Sequence, residues 1–294
     1  MSAGAVTPAG LLAVARAAAR AGAAVLNERW TAAHPATPLT AASLGAETKT
    51  SGSDWVTDFD RRAEDAVRKV IIGYRPQDAI AGEEYGATVP AEPSGYRWSI
   101  DPLDGTTNFI RGIPQFCTSV AVWGPDEQGE GRWLAGAVVA PALGRTWYAY
   151  AGGGAHSTVD ATTAASARAD RDTPVRLTGP VAGRSGRLIA TGFGYDAERR
   201  SRQVRALAAV LSEFGDVRRI GSAALDLCMV ADGTLDAYAE FGTQEYDWAA
   251  GALIAEEAGV PVVRPADPDG GARPDWMLAG RLGPLEDTLR TETA

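Results

Sequence analysis

Apolar residues recur every three or four positions in two stretches of the chain, which predicts two amphipathic helices. In residues 8–30 the apolar positions are Leu11, Val14, Ala18, Ala21 and Val25. In the second stretch, which begins near Thr57 or Asp58, they are Ala63, Ala66, Val67, Val70 and Ile71. Thr57 followed by Asp60 resembles a capping box with Asp in place of Glu, so this second helix has a start signal as well as a buried face.

Short apolar runs between Gly and Pro residues predict strands in the next part of the chain. They are residues 79–81, 97–100, 116–123, 133–139 and 145–150. Residues 152–174 are rich in Gly, Ala, Ser and Thr and are typical of a loop or domain junction. Strands then alternate with helices: strands 188–191, 217–220, 235–239 and 260–263, and helices 200–214, 222–231 and 246–258. The pattern predicts an α+β half (1–151) followed by an α/β half (152–294).

The net charge and the small number of histidines limit the kinds of ligand and catalytic site that the chain is expected to have. The chain has 28 basic and 37 acidic residues, a net charge of −9, which argues against a nucleic-acid binder with a basic face. An anionic substrate remains compatible with this charge, because bound cations reverse a local field. The only histidines are His34 and His156, so a histidine zinc site or a Ser–His–Asp triad has little to draw on. Any metal is expected to be a hard cation held by oxygen.

The cysteines and the N-terminal region predict a soluble protein. Cys117 and Cys228 lie in apolar runs without a pairing motif, which indicates buried free thiols and a reducing cytoplasm. The apolar stretch from Gly10 to Ala15 is followed by Arg16 and Arg20, and it is too short for a secretory core or a membrane span. We therefore expect a cytoplasmic protein with no membrane partner.

The segment 101–108, Asp-Pro-Leu-Asp-Gly-Thr-Thr-Asn, follows a predicted strand. Pro102 turns the chain at the strand end, so the carboxylates of Asp101 and Asp104 can converge, with the Leu103 carbonyl between them. Gly105 permits an unusual backbone angle, and the following amides can open a helix that attracts an anion. Carboxylates for a cation beside amides for a phosphate suit metal-assisted phosphoryl chemistry. A surface turn is the alternative, and it is the interpretation we give to the similar segment 267–270, which follows no strand.

Other acidic residues lie at the ends of predicted elements. Glu83 and Glu84 follow a strand, and their alternative role is a solvated loop. Asp247 and Asp60 begin helices, and each has a simple capping role as its alternative. These acids extend the candidate site beyond the 101–108 segment.

Two further positions carry weaker signals. Lys49 is one of only two lysines, with Lys69, and is otherwise a solvated side chain. Residues 221–223, Gly-Ser-Ala, join a strand to a helix, where backbone donors can meet a phosphate or hydroxyl group. A plain connecting turn is the alternative.

Four motifs together identify a resemblance. Residues 101–108 resemble the signature of the inositol monophosphatase family, Gly82-Glu83-Glu84 its upstream metal motif, and residues 246–251 its downstream one. The segments 190–195 and 221–228 are similar to bacterial inositol-1-monophosphatases. The similarity spans residues 8–265 and implies a layered α/β/α/β/α fold, with the site between the α+β half and the α/β half. Glu245 departs from the pattern, since many relatives have no acid there.

The resemblance implies a site with about two or three Mg²⁺ ions. Its implied metal ligands are Glu83, Asp101, the Leu103 carbonyl, Asp104 and Asp247. Its implied catalytic residues are Asp60 and Thr106, which orient the attacking water, with Glu83 and Lys49. Its implied substrate contacts are Gly105, Thr106, Ser222, Ala223, Glu240 and Asp247. Sensitivity to lithium and a homodimer are implied as well.

The expected reaction is hydrolysis of the phosphate monoester of a small polyol, with myo-inositol 1-phosphate as the favoured substrate. The alternatives are histidinol phosphate, fructose 1,6-bisphosphate and 3′-phosphoadenosine 5′-phosphate. Glu245 keeps histidinol phosphate open, since it can attract an ammonium group. The expected substrate contacts include no aromatic slot and no second basic cluster, which disfavours the two bisphosphates. From another class, a catalytically weak regulatory protein of the same fold remains an alternative.

Overall fold

The computed structural model describes residues 6–32, 47–48, 55–159, 173–265 and 275–292. Its helices are α1 (Pro8–Ala32), α2 (Asp58–Tyr74), α3 (Thr106–Arg111), α4 (Ala197–Glu213), α5 (Ala223–Ala231), α6 (Glu245–Glu257) and α7 (Leu285–Glu292), with a 3₁₀ turn at Pro141–Leu143. Its strands are β1 (Glu47–Thr48), β2 (Trp55–Val56), β3 (Ala79–Gly82), β4 (Gly86–Thr88), β5 (Arg97–Asp104), β6 (Cys117–Pro125), β7 (Gly131–Ala140), β8 (Arg145–Tyr150), β9 (Gly154–Val159), β10 (Val175–Arg176), β11 (Leu188–Ala190), β12 (Asp216–Arg218), β13 (Ala237–Phe241), β14 (Val262–Val263) and β15 (Trp276–Gly280).

These elements form five layers around two large sheets. The eight-stranded sheet has the order β10-β9-β8-β7-β6-β5-β3-β4, and the five-stranded sheet has the order β12-β11-β13-β15-β14. Helices α1 and α2 cover one face of the first sheet, α5 and α6 lie between the sheets, and α4 and α7 cover the far face of the second. The α/β/α/β/α arrangement expected from the sequence is therefore confirmed.

The alternation of side-chain direction along the strands explains why helices cover both faces of a sheet. In β13, Ala237, Ala239 and Phe241 pack towards α4 and α7, whereas Tyr238 packs towards α5 and α6. Successive side chains of a strand point to opposite faces, so a strand with apolar residues on both faces needs a cover on both sides. The two sheets therefore share the α5–α6 layer between them.

Small residues allow α6 to lie close to its neighbours. A Cβ atom built on Gly136 of β7 would lie 3.0 Å from the Cα of Ala250, and one on Gly251 would lie 2.7 Å from the Cβ of Leu227 in α5. Substitution at either glycine would push α6 outward. This packing fixes the position of the α6 N-terminus, where Asp247 lies.

Helix α1 is apolar because it belongs to the core. Its segment Pro8–Trp30 has a mean hydropathy of 1.5, enough by length and composition alone for a membrane span. Leu11, Ala15 and Ala18 are nevertheless buried against the eight-stranded sheet and α2. The guanidinium of Arg16 lies 4.0 Å from the ring centroid of Tyr148 on that sheet. Packing inside the protein thus accounts for the apolar composition of this helix, but its apolar segment is longer than the Gly10–Ala15 stretch that the sequence analysis judged too short for a span.

The eight-stranded sheet extends further along the chain than predicted. Residues 154–159, interpreted from the sequence as part of a loop or junction, form β9 and pair antiparallel with β8. Strand β10 adds to the same sheet, so this sheet continues along the chain to Arg176. The segment was missed because Gly, Ala, Ser and Thr dominate it, and its buried positions are small. Strands β4 and β15 and helix α7 were also not predicted.

The sequence predicted a turn at Pro102, but strand β5 does not turn there. It continues to Asp104, and its register with β6 shifts between Asp101 and Asp104. A bulge is one of the few places where a sheet accommodates a proline, which has no N–H to donate. The same irregularity redirects the side chains of Asp101 and Asp104.

Three further sequence expectations hold, whereas the turn expected at residues 267–270 lies outside the described residues. Gly105 has a φ of 97° before α3, and Thr57 and Asp60 form the capping box of α2. Cys117 and Cys228 are buried free thiols.

Candidate active site

A cavity of about 500 Å³ opens where both sheets present strand ends to the starts of three helices. Its walls include the ends of β5 and β13, the residues that follow β3 and β11, and the first residues of α3, α5 and α6. Strand ends and helix starts concentrate polar backbone groups and carry few packing constraints, which makes such junctions common binding sites. Among the predicted site residues, those that line it are Glu83, Asp101, Leu103, Asp104, Gly105, Thr106, Ser222, Ala223, Glu240 and Asp247.

The β5 bulge fixes the first two carboxylates. Asp101 Oδ1 accepts a hydrogen bond of 3.0 Å from the Leu103 amide. Asp104 Oδ2 accepts bonds of 2.7 Å each from the Ser222 hydroxyl and the Ala224 amide at the start of α5. Both side chains are buried. The bonds to α5 tie the eight-stranded sheet to the middle helix layer at the cavity.

The third carboxylate comes from the α6 start. The Gln244 amide donates a 2.6 Å bond to Asp247 Oδ2, as part of a capping box. The capping role considered from the sequence is thus present. It engages one oxygen of Asp247 and leaves the side chain at the cavity wall.

Glu83 stands on a turn that is organised by a buried acid the sequence did not reveal. Glu64, fully buried in α2, accepts bonds of 2.8 Å from the Glu84 amide and 3.2 Å from the Tyr85 amide. Arg68 balances its charge at 2.7 Å. Gly82 is required here, because a Cβ atom would lie 2.2 Å from Glu64 Oε1. The sequence signal was present, since an acid on the apolar face of an amphipathic helix is unusual.

The pKa values of the cavity carboxylates are raised by burial and by repulsion between neighbouring carboxylates. Burial, followed by the charges of Glu83, Asp104 and Asp247, raises the pKa of Asp101 well above its ordinary value. Burial and then the charges of Asp104 and Glu83 raise the pKa of Asp247 in the same way. Burial raises the pKa of Asp104 to about 6, although its bonds from Ser222 and Ala224 oppose the rise. The site therefore concentrates negative charge that a cation would relieve.

The donor set fits a hard divalent cation. All the candidate ligands are carboxylate or carbonyl oxygens, and the bonds described above engage a single oxygen of Asp101 and of Asp247. In the described ranges no three His, Cys, Asp or Glu side chains form a ready-made ion cluster, and the acids ring the cavity instead. The chemistry of the donors and their mutual repulsion are thus the grounds for a cation here.

Asp60 is buried and does not itself line the cavity, but it contacts Thr106, which does. Thr106 Oγ1 lies 3.1 Å from Asp60 Oδ1 and 3.1 Å from the Leu103 carbonyl oxygen. Asp60 Oδ2 accepts bonds of 2.7 Å from the Thr57 amide and 2.6 Å from the Thr57 hydroxyl. Burial raises the pKa of Asp60 to about 6, with the Thr57 bonds opposing the rise. This pair has the composition of a proton relay.

Two of the predicted substrate residues, Ser222 and Glu240, have different hydrogen-bond partners. Ser222 is buried and uses its hydroxyl to hold Asp104, so this hydroxyl is already engaged. Glu240 Oε2 accepts a 2.9 Å bond from Tyr238 on the same strand. Burial raises the pKa of Glu240 to about 7. Glu240 is therefore a polar group that is held in place by Tyr238, at the side of the cavity away from β3.

The structure adds cavity residues that sequence reasoning missed. Asp226, in the first turn of α5, is buried, and its Oδ1 has no hydrogen-bond partner among the described residues. Phe193 and Tyr195 line the cavity after β11, and Arg199 and Arg219 line it from α4 and the segment before α5. The cavity therefore presents aromatic and basic side chains that the sequence argument against the two bisphosphates did not include. Phe193, Tyr195 and Asp226 lie in segments that carry the family resemblance, but no role was assigned to them, and Arg199 and Arg219 lie outside every motif.

Two predicted positions lie elsewhere. Glu245 forms a two-pronged ion pair with Arg97 at the start of β5, with Arg97 Nη2 at 2.8 Å from Oε2, and it does not line the cavity. Its expected attraction for a substrate ammonium group is therefore not supported, since Arg97 already neutralises it. Lys49, predicted near the phosphate, lies outside the described residues.

The layered fold and an acid-ringed cavity at the sheet ends define a phosphatase-like class of protein. The model of the inositol monophosphatase family matches residues 8–287, and the chain belongs to this family.

Individual relatives agree with this assignment. The inositol-1-monophosphatase of Mycobacterium bovis is 45% identical over 228 residues, which are 76% of this chain and 73% of the relative. A protein of Vibrio cholerae named Nus factor SuhB is 34% identical over 85% of this chain and 84% of its own length. The structure of Mycobacterium tuberculosis SuhB superposes with a TM-score of 0.72 at 34% identity, covering 98% of this chain and 97% of that one. Family membership supports a metal-dependent phosphatase.

Proposed function

We propose that this protein is a Mg²⁺-dependent phosphatase that hydrolyses the phosphate monoester of a small polyol, with myo-inositol 1-phosphate as the preferred substrate. The observation that carries the proposal is the meeting of carboxylates from β5 and α6 with Thr106, which contacts the buried Asp60, at one cavity. A family relative named inositol-1-monophosphatase at 45% identity supports the choice of substrate.

Glu83, Asp101, Asp104, Asp247 and the Leu103 carbonyl would hold the metal ions. When bound, magnesium would neutralise charge on the phosphate and acidify the attacking water. The carboxylates themselves repel a phosphate dianion, so the metal-free cavity binds substrate poorly. Substrate affinity is therefore expected to depend on the cation.

Asp60 and Thr106 would align the water and remove its proton. The Thr106 hydroxyl has one proton, which serves either Asp60 Oδ1 or the Leu103 carbonyl at any moment, so its oxygen can accept from water while it donates to Asp60. The Thr57 bonds hold Asp60 in place. Water is the nucleophile in this scheme, and no phosphoenzyme is formed.

Backbone donors and Glu240 would recognise the two ends of the substrate. The Gly105 and Thr106 amides, at the start of α3, suit the phosphate. Glu240 and the Ser222–Ala223 backbone suit adjacent hydroxyl groups of a polyol, since they combine an acceptor with donors. A site built to bond a hydroxyl rejects analogues that leave its polar groups unpaired.

The test is kcat/KM for myo-inositol 1-phosphate, histidinol phosphate, fructose 1,6-bisphosphate and 3′-phosphoadenosine 5′-phosphate, with Mg²⁺ and wild-type protein. We expect the inositol phosphate to be hydrolysed fastest and Glu245→Gln to change no ranking, because Glu245 is paired with Arg97. A clear preference for histidinol phosphate that Glu245→Gln removes would overturn the substrate assignment.

A bisphosphate is the second candidate substrate, and a specific observation favours it. Phe193 and Tyr195 provide aromatic surface, and Arg199 and Arg219 provide positive charge, at the distal side of the cavity. Rings stack on a nucleobase and guanidinium groups bind a second phosphate. If Arg219→Gln lowers kcat/KM for the adenosine bisphosphate far more than for the inositol phosphate, this side of the cavity is a second phosphate subsite.

The other expectations belong to the same proposal. They are millimolar inhibition by lithium but not by potassium, a cytoplasmic homodimer, and no nucleic-acid or membrane partner. The regulatory alternative is less favoured because all the candidate metal ligands are present in the sequence. It remains an alternative because the Vibrio relative is named Nus factor SuhB. Absence of turnover on all four substrates with Mg²⁺ would favour the regulatory protein.

A further inference from the structure

A second cavity, of about 320 Å³, lies at the opposite end of the five-stranded sheet from the candidate active site. Its walls are residues 178–184, residues 259–261 before β14, and residues 280–281 at the end of β15, together with Arg187 and Asp236. Arg187 directly precedes β11, and the active-site residues follow the other end of that strand. The two cavities are therefore separated by the length of the sheet.

Three arginines line this second cavity: Arg184, Arg187 and Arg281. Within the described part of the chain none of them is paired with an Asp or Glu, whereas arginines such as Arg75 and Arg145 hold carboxylates at 2.8 and 3.0 Å. A gathering of unpaired guanidinium groups is unexpected in a chain with a net charge of −9, because acids are abundant. Like charges repel each other, and an anion between them would relieve that repulsion.

Backbone contacts hold two of these side chains and leave donors unused. Arg184 Nη1 donates a 2.9 Å bond to the Gly233 carbonyl, and Arg187 Nη2 donates to the Arg281 carbonyl. The Arg187 guanidinium also lies 4.3 Å from the ring centroid of Phe214. A guanidinium has five N–H donors, so each of the two retains several. Pre-positioned guanidinium groups lose less entropy when they bind a ligand.

Asp236, the one carboxylate among the described residues of the cavity wall, is already bonded to a backbone amide. Asp236 is 4% exposed, and its Oδ2 accepts a 2.7 Å bond from the Leu188 amide. Its charge is thus engaged at the start of β11. Three arginines and one carboxylate that is already bonded to a backbone amide line the cavity, so its lining residues carry a net positive charge.

We propose that this arginine cavity is a binding site for a small molecule with a diphosphate group. Guanidinium groups bind phosphate oxygens in two-pronged geometry, and several of them around one cavity match a group with several charged oxygens. The volume lies at the lower end of the range for small-molecule sites, about 300–1,000 Å³, which fits a compact ligand and excludes a protein segment. Nothing in the proposed phosphatase reaction requires this site.

The test is calorimetric titration of inorganic diphosphate into the full chain with excess chelator present. Without metal the acidic active-site cavity repels anions, so binding there does not contribute. We expect one saturable site per chain, and at least about tenfold weaker binding in the double variant Arg184→Gln/Arg281→Gln, a loss of about 1.4 kcal/mol. Both side chains are exposed, so the variant is expected to fold, and its unfolding temperature is recorded as a check.

The matched control is Arg132→Gln/Arg205→Gln, which removes two exposed arginines outside the cavity and changes the net charge equally. It should bind diphosphate within about twofold of wild type, since long-range charge is screened by salt. Equal weakening in both double variants, or no saturation up to about 10 mM, would overturn the proposal. Adenosine 5′-diphosphate serves as a second probe, and binding tighter than that of inorganic diphosphate would identify a nucleotide as the ligand. Because no turnover is measured, failure of the phosphatase proposal does not affect the result.

Discussion

Helices α2 and α6 begin with the same local device and place an aspartate at the same helical position. Asp60 and Asp247 are each the third residue of their helix and close a capping box with Thr57 and Gln244. The difference lies in their other contacts. Asp60 has a hydroxyl group within hydrogen-bond distance of both oxygens, whereas the strongest charged neighbours of Asp247 are Asp104 and Glu83.

The comparison shows that a capping role and a chemical role are compatible. A cap engages one carboxylate oxygen, and the neighbours of the other oxygen decide what the residue does. A carboxylate among hydroxyl groups is suited to proton transfer, and one among carboxylates is suited to a cation. Four predictions test this division.

The largest effect is expected from Asp60→Asn. The amide oxygen keeps a hydrogen bond but cannot take a proton, so kcat should fall by about 10²–10⁴ while the Mg²⁺ requirement stays the same. Steady-state kinetics across Mg²⁺ concentrations measures both quantities. The control is Asp58→Asn, an exposed acid two residues away. A kcat within tenfold of wild type would remove Asp60 from the reaction.

Asp247→Asn should act on the metal. Asparagine preserves the helix cap but removes one negative charge from the carboxylate group, so half-saturation should need at least about tenfold more Mg²⁺. The control is Glu256→Gln, an exposed acid near the end of the same helix. Unchanged Mg²⁺ dependence together with a large loss of kcat would mean that Asp247 resembles Asp60 after all.

The metal-free protein should become less stable as pH rises. Carboxyl groups in the unfolded chain titrate near pH 4, whereas burial raises the pKa of Asp60 and Asp104 to about 6. Between these values the folded state binds more protons, so the free energy of unfolding falls with pH, by about 3 kcal/mol for each group. Above the folded pKa the loss is complete.

Thermal unfolding in chelator from pH 4 to pH 8 measures this trend. Saturating Mg²⁺ should flatten it, because the cation favours the ionised carboxylates that it contacts. A metal-free protein whose stability rises over the same range would contradict the burial of unpaired acids at the cavity.

The smallest effect is expected from Thr57→Ala. The change removes one bond to Asp60 and one to the Phe59 amide, and should cost about 1 kcal/mol of stability. Since the Thr57 amide still holds Asp60, kcat should fall far less than in Asp60→Asn. Urea unfolding and kinetics on the same preparation check the prediction. A loss of kcat equal to that of Asp60→Asn would make Thr57 part of the proton relay.

The sequence predicted those features that are coded by neighbouring residues. Helical spacing marked α1 and α2, and the capping box of α2 was visible in Thr57 and Asp60. The acids of the cavity were found because they follow apolar strands or begin helices. Such signals span a few residues, where local geometry decides the outcome.

Features that depend on distant contacts were not predictable in the same way. The Glu64 side chain that orders the Glu83 turn and the Arg97 partner of Glu245 come from other elements. Strand β9 lacks the large β-branched residues that mark a strand, and only its pairing with β8 defines it. The bulge at Pro102 likewise requires the neighbouring strand β6.

The central claim is that the carboxylates of this cavity support Mg²⁺-dependent phosphate release. The most direct measurement is release of phosphate from myo-inositol 1-phosphate by wild type and Asp104→Asn, in Mg²⁺, in excess chelator and after Mg²⁺ is restored. Turnover is predicted only for wild type with Mg²⁺, with full recovery on restoration and a loss of orders of magnitude in Asp104→Asn. Undiminished wild-type turnover in chelator, or near-normal turnover of Asp104→Asn, would contradict the claim.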